Sequence, residues 1–230
     1  MQIETDTNIF KDTVFLIPAR KNSKGFPFKN RKLFLSTASS IPQELKGNVY
    51  VSTDDSYIKK LSNEAGFNTI DRPPELAEDT SSLKEVLLHF RSNVKISKNC
   101  DIILLFLTYP ERTWQDIENI FSIYKKSNKK SLICCEKVKE HPYLCFLHDK
   151  TNNTAELLIK HDKYRRQDYP PVVRQSMFFS CYNESILNQL HDLLFEKDTF
   201  FYVLDETKVD IDYEKDYNSI QQTKRGKNGK

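Results

Sequence analysis

The sequence predicts an α/β fold in three layers, a mainly parallel sheet with helices on both faces. Short apolar runs alternate with stretches of helical periodicity over residues 13–135, the signature of βαβ units. The run Ile102-Ile103-Leu104-Leu105-Phe106-Leu107 is apolar on both faces, as a central strand of a parallel sheet must be. Helix-start and helix-stop residues fall at the ends of the periodic stretches.

Taken in order, Val14-Phe15-Leu16-Ile17 is a buried strand bounded by Pro18. Residues 18–32 read as a polar, basic loop. Val49-Tyr50-Val51-Ser52 is a second strand. It runs into a short helix over 56–65, with Ile58, Leu61 and Ala65 on one face and Gly66 as its stop. Phe67 to Ile70 is a third strand. Leu83, Val86, Leu87, Phe90 and Val94 recur at helical spacing, and Ser82 with Glu85 fits a capping box. The central strand at 102–107 is followed by a helix from Thr113, with Ile117, Ile120, Phe121 and Tyr124 facing inward, and by a strand at Ser131–Cys135. The pattern then changes. From 138 to 176 the chain is polar and broken by Pro142, Pro170 and Pro171, with strand-like pieces at 143–147 and 155–159. This segment reads as an excursion from the sheet, a hairpin arm. Phe178–Tyr182, a helix over 184–195 and Phe200–Leu204 resume the core. The predicted division is a core of 1–137 and 177–222, an arm of 138–176, and a basic, disordered tail of 223–230.

With 38% hydrophobic and 12% aromatic positions, 230 residues suit one domain with a substantial core and not a disordered chain. No apolar run approaches the roughly 20 residues that span a bilayer. Residues 1–8 carry neither a basic n-region nor an apolar h-region, so a cytoplasmic protein is expected. The five cysteines lack metal-ligand spacing and read as buried reduced thiols. A net charge of +3 gives no global field for nucleic acid or an anionic membrane. The histidines form no metal motif, and no Ser-His-Asp arrangement is present.

In open parallel sheets ligands bind beyond the carboxyl ends of the strands, and polar clusters follow strands here. Between Arg20 and Lys32 stand six cations and no acidic residue. Arg20, Lys24 and Lys29, held by Pro18, Gly25 and Pro27, offer fixed cations for a triphosphate. A solvated basic loop or a weak nucleic-acid contact is the other reading. The loop is not a Walker loop, because Gly-x4-Gly-Lys-Ser/Thr is absent. Ser52-Thr53-Asp54-Asp55 contains an N-cap for the helix at 56–65. Asp210-Ile211-Asp212, read as a strand, puts both carboxylates on one face. That pair suits a Mg²⁺ site or an exposed strand edge. Arg165, Arg166 and Arg174 suit anion recognition or an intersubunit contact.

In their order these clusters resemble the acylneuraminate cytidylyltransferase family, the CMP-sialic acid synthetases. Ala19-Arg20, Ser23-Lys24-Gly25, Pro27 and Lys29-Asn30 match its opening motif at every fixed position. The likeness continues through Ser52–Asp55, Arg72-Pro73, Asp79–Ser82, Arg112-Thr113, His141-Pro142, Arg166-Gln167-Asp168, Arg174 and Asp210-Ile211-Asp212. It covers roughly residues 13–217. The resemblance implies a Rossmann-like sheet of the nucleotide-diphospho-sugar transferase type. It also implies a reaction joining CTP to a nine-carbon 2-keto acid sugar, giving CMP-sugar and pyrophosphate.

By resemblance, Arg20, Lys24, Lys29 and Asp212 are catalytic. Ala19, Arg20, Ser23, Lys24, Asn30, Arg72, Ser81 and Ser82 bind the nucleotide. Asp210 and Asp212 bind Mg²⁺, and Arg166, Gln167, Arg174, Phe106 and Tyr109 lie on the substrate side. The 138–176 segment corresponds to the family's dimerisation arm and implies a homodimer. The departures fall on the acceptor side. Where the family reads Gln-Pro-Thr-Ser-Pro-Leu-Arg, this chain has Phe106-Leu107-Thr108-Tyr109-Pro110-Glu111-Arg112, so Phe106 and Tyr109 replace a Gln and a Ser. The stretch between Lys32 and Val49 is short and lacks most of a helix. The acceptor is left open between N-acetylneuraminate, a related nonulosonic acid and another acidic sugar. A different acceptor class, or a nucleotide-binding protein that has lost catalysis, is the alternative.

Overall fold

The computed structural model describes residues 7–228, with side chains through Gln222. Its strands are β1 (Thr13–Pro18), β2 (Val49–Thr53), β3 (Asn68–Asp71), β4 (Asp101–Leu104), β5 (Ser131–Lys137), β6 (Phe146–Asp149), β7 (Thr154–Leu157), β8 (Val173–Asn183) and β9 (Phe200–Val203). Its helices are α1 (Lys29–Ser40), α2 (Ser56–Ala65), α3 (Leu83–Asn93), α4 (Trp114–Lys126) and α5 (Glu214–Asn228). Seven strands form one sheet in the order β3-β2-β1-β4-β8-β5-β9, and β6 and β7 form a separate hairpin. All neighbours in the large sheet are parallel except β8, which runs antiparallel to both β4 and β5.

The three layers follow from alternation along the strands. In β1, Phe15 and Ile17 belong to the core beneath α1, α2 and α4. Val14 and Leu16 belong to the core beneath α3 and the 3-10 turn at Glu184–Gln189. In β4, Ile103 faces the first core while Ile102 and Leu104 face the second. Strands buried on both faces must be apolar throughout, which explains their sequence.

The caps explain the helix starts. Asp55 accepts from Tyr57 N at 2.9 Å at the head of α2, and Gly66 ends that helix at φ +80°. Such an N-cap contributes about 1 kcal/mol. Capping boxes join Ser82 to Glu85 ahead of α3 and Thr113 to Asp116 ahead of α4.

Several expectations are corrected. A full helix, α1, occupies 29–40, where the sequence reads as the end of a basic loop and a missing helix. Its first turn carries Lys29, Arg31 and Lys32 and no acidic residue, and Phe28 at its N-cap offers no side-chain acceptor, so the usual start signal is absent. Its apolar residues still face one way: Leu33, Phe34 and Ala38 are buried. The helix expected over 184–195 is a 3-10 turn at Glu184–Gln189. The sheet resumes at Val173, inside the expected arm, where Lys137 pairs with Val173. The chain returns there through a hairpin with no crossover helix, so an antiparallel strand is allowed. Residues 209–212 form no strand. The backbone of α5 runs to Asn228, through most of the expected tail. Residues 229–230 of that tail, and the residues 1–6 used for the expectation about a leader, lie outside the described residues.

Among the described residues no helix is long and apolar enough to cross a membrane. Cys100, Cys134, Cys135 and Cys181 are buried free thiols, whereas Cys145, in the arm, is free but only half-buried, against the expectation that all five are buried. Burial pushes Cys100 and Cys135 up to about 11, which keeps them inert.

Candidate active site

The strand order reverses between β1 and β4, and the polar segments leaving β1, β2, β3 and β4 gather at this switch point. A cleft of about 250 Å³ opens there. Arg20, Asn22, Ser23, Lys29 and Asn30 from the loop after β1 line one side. Arg72, Asp79 and Ser81 line another, and Phe106 with Thr108 form the wall beyond β4.

The six cations of residues 20–32 do not act as one solvated cluster. Each of five finds a carboxylate from a distant segment. Arg20 and Lys24 both reach Asp79, at 2.6 and 2.8 Å. These two bonds hold the exposed Asp79 carboxyl below its usual range, Lys24 contributing most. Lys29 donates to the Ile211 carbonyl at 2.8 Å and to Asp212 at 3.2 Å. Arg31 grips Asp55 with two bonds of 2.7 and 2.9 Å. Lys32 approaches Glu214 at 3.7 Å. Lys21 contributes its backbone N–H, which donates to Asp54 at 2.7 Å. The loop itself is held by Asn30, which donates to the Arg20 carbonyl at 2.8 Å, and by the Thr53 hydroxyl on the Ala19 carbonyl at 2.5 Å.

Gly25 is required by close approach. A Cβ there would stand 2.6 Å from the Asp212 carbonyl oxygen and 3.2 Å from the Tyr213 ring. The basic loop therefore lies directly on the segment carrying Asp210 and Asp212. Ile211, fully buried, anchors that segment, and its N–H donates to the Thr108 carbonyl at 2.9 Å.

Arg72 is 7% exposed and donates from Nε to the Ser52 hydroxyl at 3.1 Å. Its Nη2 is buried without a hydrogen-bond partner among the described residues. Burial lowers this guanidinium to about 10, so it remains charged and keeps a donor for a ligand in the cleft.

Asp210 is the other under-satisfied group. Its Oδ2 accepts from the Tyr109 hydroxyl at 3.0 Å, while Oδ1 is buried with no hydrogen-bond partner among the described residues. Burial raises its pKa, and the Asp212 charge adds to this against the opposing influence of Thr108, Tyr109 and Lys29. A buried carboxylate oxygen without a donor, next to a second carboxylate, fits a hard divalent cation. No group of three or more His, Cys, Asp or Glu side chains suited to a metal occurs among the described residues, so a cation here would complete its shell from substrate and water.

The structure brings together Arg20, Ser23, Lys24, Lys29, Asn30, Arg72, Ser81, Phe106, Asp210 and Asp212 around this cleft and its rim. It separates others from it. Ala19 is fully buried and serves through its backbone. Ser82 caps α3. Tyr109 is 4% exposed and lies beneath Asp210 instead of forming the acceptor wall. Arg174 is paired with the buried Glu136 at 2.7 Å. Arg166 lines a different cavity, of about 570 Å³, between the arm and the β5–β9 edge, and Gln167 sits exposed on a 3-10 turn. Sequence reasoning gave no site role to Glu136 and left Asp79 as a motif position. Their pairing with cations far along the chain leaves no local signal.

The profile of the cytidylyltransferase family matches residues 14–225. The chain belongs to this family. Among cytidylyltransferases, the N-acylneuraminate cytidylyltransferase of Streptococcus agalactiae serotype V (strain ATCC BAA-611 / 2603 V/R) is 27% identical over 216 residues, covering 89% of this chain and 51% of that protein. N-acylneuraminate cytidylyltransferase A of Danio rerio is 26% identical over 225 residues, covering 90% and 49%. The chain thus spans about half the length of these curated relatives. A solved CMP:2-keto-3-deoxy-manno-octonic acid synthetase complexed with CTP shares the fold, with a TM-score of 0.63 at 14% identity over 94% of this chain and 99% of that one.

Proposed function

We propose that this cytidylyltransferase transfers CMP from CTP to an acidic sugar of the 2-keto, nonulosonic type, releasing pyrophosphate. The observation that carries the reading is one cleft at the switch point. It is lined by Arg20, Lys29 and Arg72 with Lys24 on its rim, and Lys29 links it to Asp212 and to the neighbouring Asp210, whose Oδ1 is buried with no hydrogen-bond partner among the described residues. The names of the relatives, N-acylneuraminate cytidylyltransferases, support the acceptor class.

The acceptor hydroxyl attacks the α-phosphorus in line and pyrophosphate departs, so the protein's task is positioning and charge neutralisation. Arg20 and Lys24 grip the phosphate chain in place of Asp79. Lys29, held rigid by the Ile211 carbonyl, faces the departing charge. Arg72 offers its free Nη2 to the nucleoside. Asp210 and Asp212 would hold Mg²⁺, which when bound draws negative charge from the phosphoryl oxygens. Tyr109 lies under the cleft floor and leaves the cleft open, which favours an active site over one filled by its own side chains.

CTP is expected to raise the melting temperature, with Mg²⁺, more than ATP, GTP or UTP. A response to a purine triphosphate equal to that for CTP would overturn the nucleotide assignment. Pyrophosphate release with CTP and a panel of 2-keto acid sugars then identifies the acceptor.

The arm completes the proposal. Phe146, Leu147 and Leu158 are about half exposed, and Tyr164 is 86% exposed, so a second copy of the chain has apolar surface to cover. Tyr143, by contrast, is stacked on His161 at 4.0 Å within the arm. Light scattering is expected to give twice the 27.1 kDa chain mass. A monomer mass over a wide concentration range would count against a homodimer.

A further inference from the structure

We propose that Tyr109 is the positioning residue for Asp210, holding one carboxylate oxygen so that the other is presented to the divalent cation. This rests on the reading that Asp210 binds the metal. The phenol ring is fixed from several sides. It meets Phe178 edge-on at 5.6 Å, and its backbone carbonyl accepts from Arg112 N at 3.1 Å. The buried Arg112 guanidinium in turn ties the Phe178 and Phe106 carbonyls together, at 2.6 and 3.0 Å. The ring therefore cannot swing without disturbing the junction of β8 with the segment after β4.

The proton order fixes the direction of the bond. Glu136 is 2% exposed and accepts from Ser176 Oγ at 3.1 Å, Arg174 at 2.7 Å and Lys208 N at 3.2 Å. The one hydroxyl hydrogen of Ser176 is spent on Glu136. At 3.5 Å from the phenol oxygen, Ser176 offers Tyr109 no donor. The Tyr109 hydrogen goes to Asp210 Oδ2, at 3.0 Å. What remains of Asp210 is Oδ1, buried and without a hydrogen-bond partner among the described residues, with the Thr108 side chain beside the carboxylate. A carboxylate held this way offers a single fixed oxygen, the arrangement in which a hydrogen-bonded outer partner orients a metal ligand.

Calorimetry separates this from a packing role. CTP affinity is measured with Mg²⁺ and again in excess EDTA, and the ratio is the Mg²⁺-dependent gain. Tyr109→Phe keeps the ring and removes the hydroxyl. It is expected to cut the gain roughly 10-fold, the lower range for loss of an outer partner, while metal-free CTP affinity stays at the wild-type value. Tyr109→Leu carries the same expectation should phenylalanine not be tolerated. Ser176→Ala, which leaves the Tyr109–Asp210 bond intact, is expected to keep the gain. Asp210→Asn separates the two levels of inference. If it loses the gain and Tyr109→Phe does not, Tyr109 has no positioning role and the metal reading stands. If Asp210→Asn keeps the gain, the metal reading itself falls. Equal loss of metal-free and Mg²⁺-dependent affinity in Tyr109→Phe would assign Tyr109 to packing alone.

Discussion

Asp212→Asn is expected to lower kcat on the order of 10²-fold or more, with little change in the fold. The substitution keeps the shape of the side chain and removes one negative charge from beside Asp210. If the cation stabilises the transition state more than bound CTP, the loss falls on kcat and leaves KM for CTP nearly unchanged. Stability is spared because the Asp212 side chain is 65% exposed and its ion pair with Lys29 is wet on that side. Such pairs contribute at most about 1 kcal/mol. The backbone N–H of Asp212, which donates to Asp216 at 3.1 Å, is unaffected. The measurement is steady-state pyrophosphate release over a Mg²⁺ titration, with thermal melting alongside. Near-normal turnover at saturating Mg²⁺ would return Asp212 to the role of a surface ion-pair partner for Lys29.

Gly25→Ala is expected to be nearly as damaging, through geometry instead of charge. The added methyl would meet the Asp212 carbonyl oxygen at 2.6 Å, and a backbone oxygen cannot rotate away as a side chain does. Relief requires the basic loop and the Asp210–Asp212 segment to part by roughly 0.5–1 Å. Misplacement of that size costs about 10²-fold when reacting groups must be aligned, so kcat/KM should fall by that order. Lys29 and the Asp212 region would separate together, so both the phosphate grip and the metal pair are disturbed. Gly25 lies in an exposed loop, and the melting temperature should move only slightly. Wild-type kcat/KM in Gly25→Ala would show that the loop can stand off without consequence.

The parts of this molecule that were legible in the sequence are those whose cause is local. The apolar run 14–17 and the first half of the run 102–107 became β1 and β4 because burial on both faces needs nothing but apolar residues. Ser82–Glu85 and Thr113 declared the starts of α3 and α4 because capping is a bond between near neighbours. α1 was hidden because its N-terminus is basic and uncapped, and only Leu33, Phe34 and Ala38 mark its inner face. The direction of β8 was hidden because a strand's composition is the same whichever way it runs. In the candidate site, Arg20, Lys29 and Arg72 were read as polar residues placed after strands, and the two aspartates as one face of a strand that does not form. What each one touches was not, because Arg20 and Asp79 are 59 residues apart and Lys29 and Asp212 are 183 apart. Tyr109 was misplaced for the same reason. Its position after β4 pointed to the cleft wall, and only the packing against Phe178 and Asp210 turns it beneath the floor.

Asp79 has a consequence for how two anionic substrates sort themselves. Its carboxylate already bridges Arg20 and Lys24, so the cations stand at a fixed spacing before any ligand arrives. These contacts are exposed and screened by solvent, so a polyvalent phosphate chain displaces the placeholder at little cost. A sugar acid carries one carboxylate, the same charge that Asp79 already offers, and gains nothing by the exchange. Under the proposed function, the placeholder admits the nucleotide and turns the sugar acid away from the same seat. In the proposed reaction, that leaves the acceptor to enter from the opposite side, with the phosphates already in place.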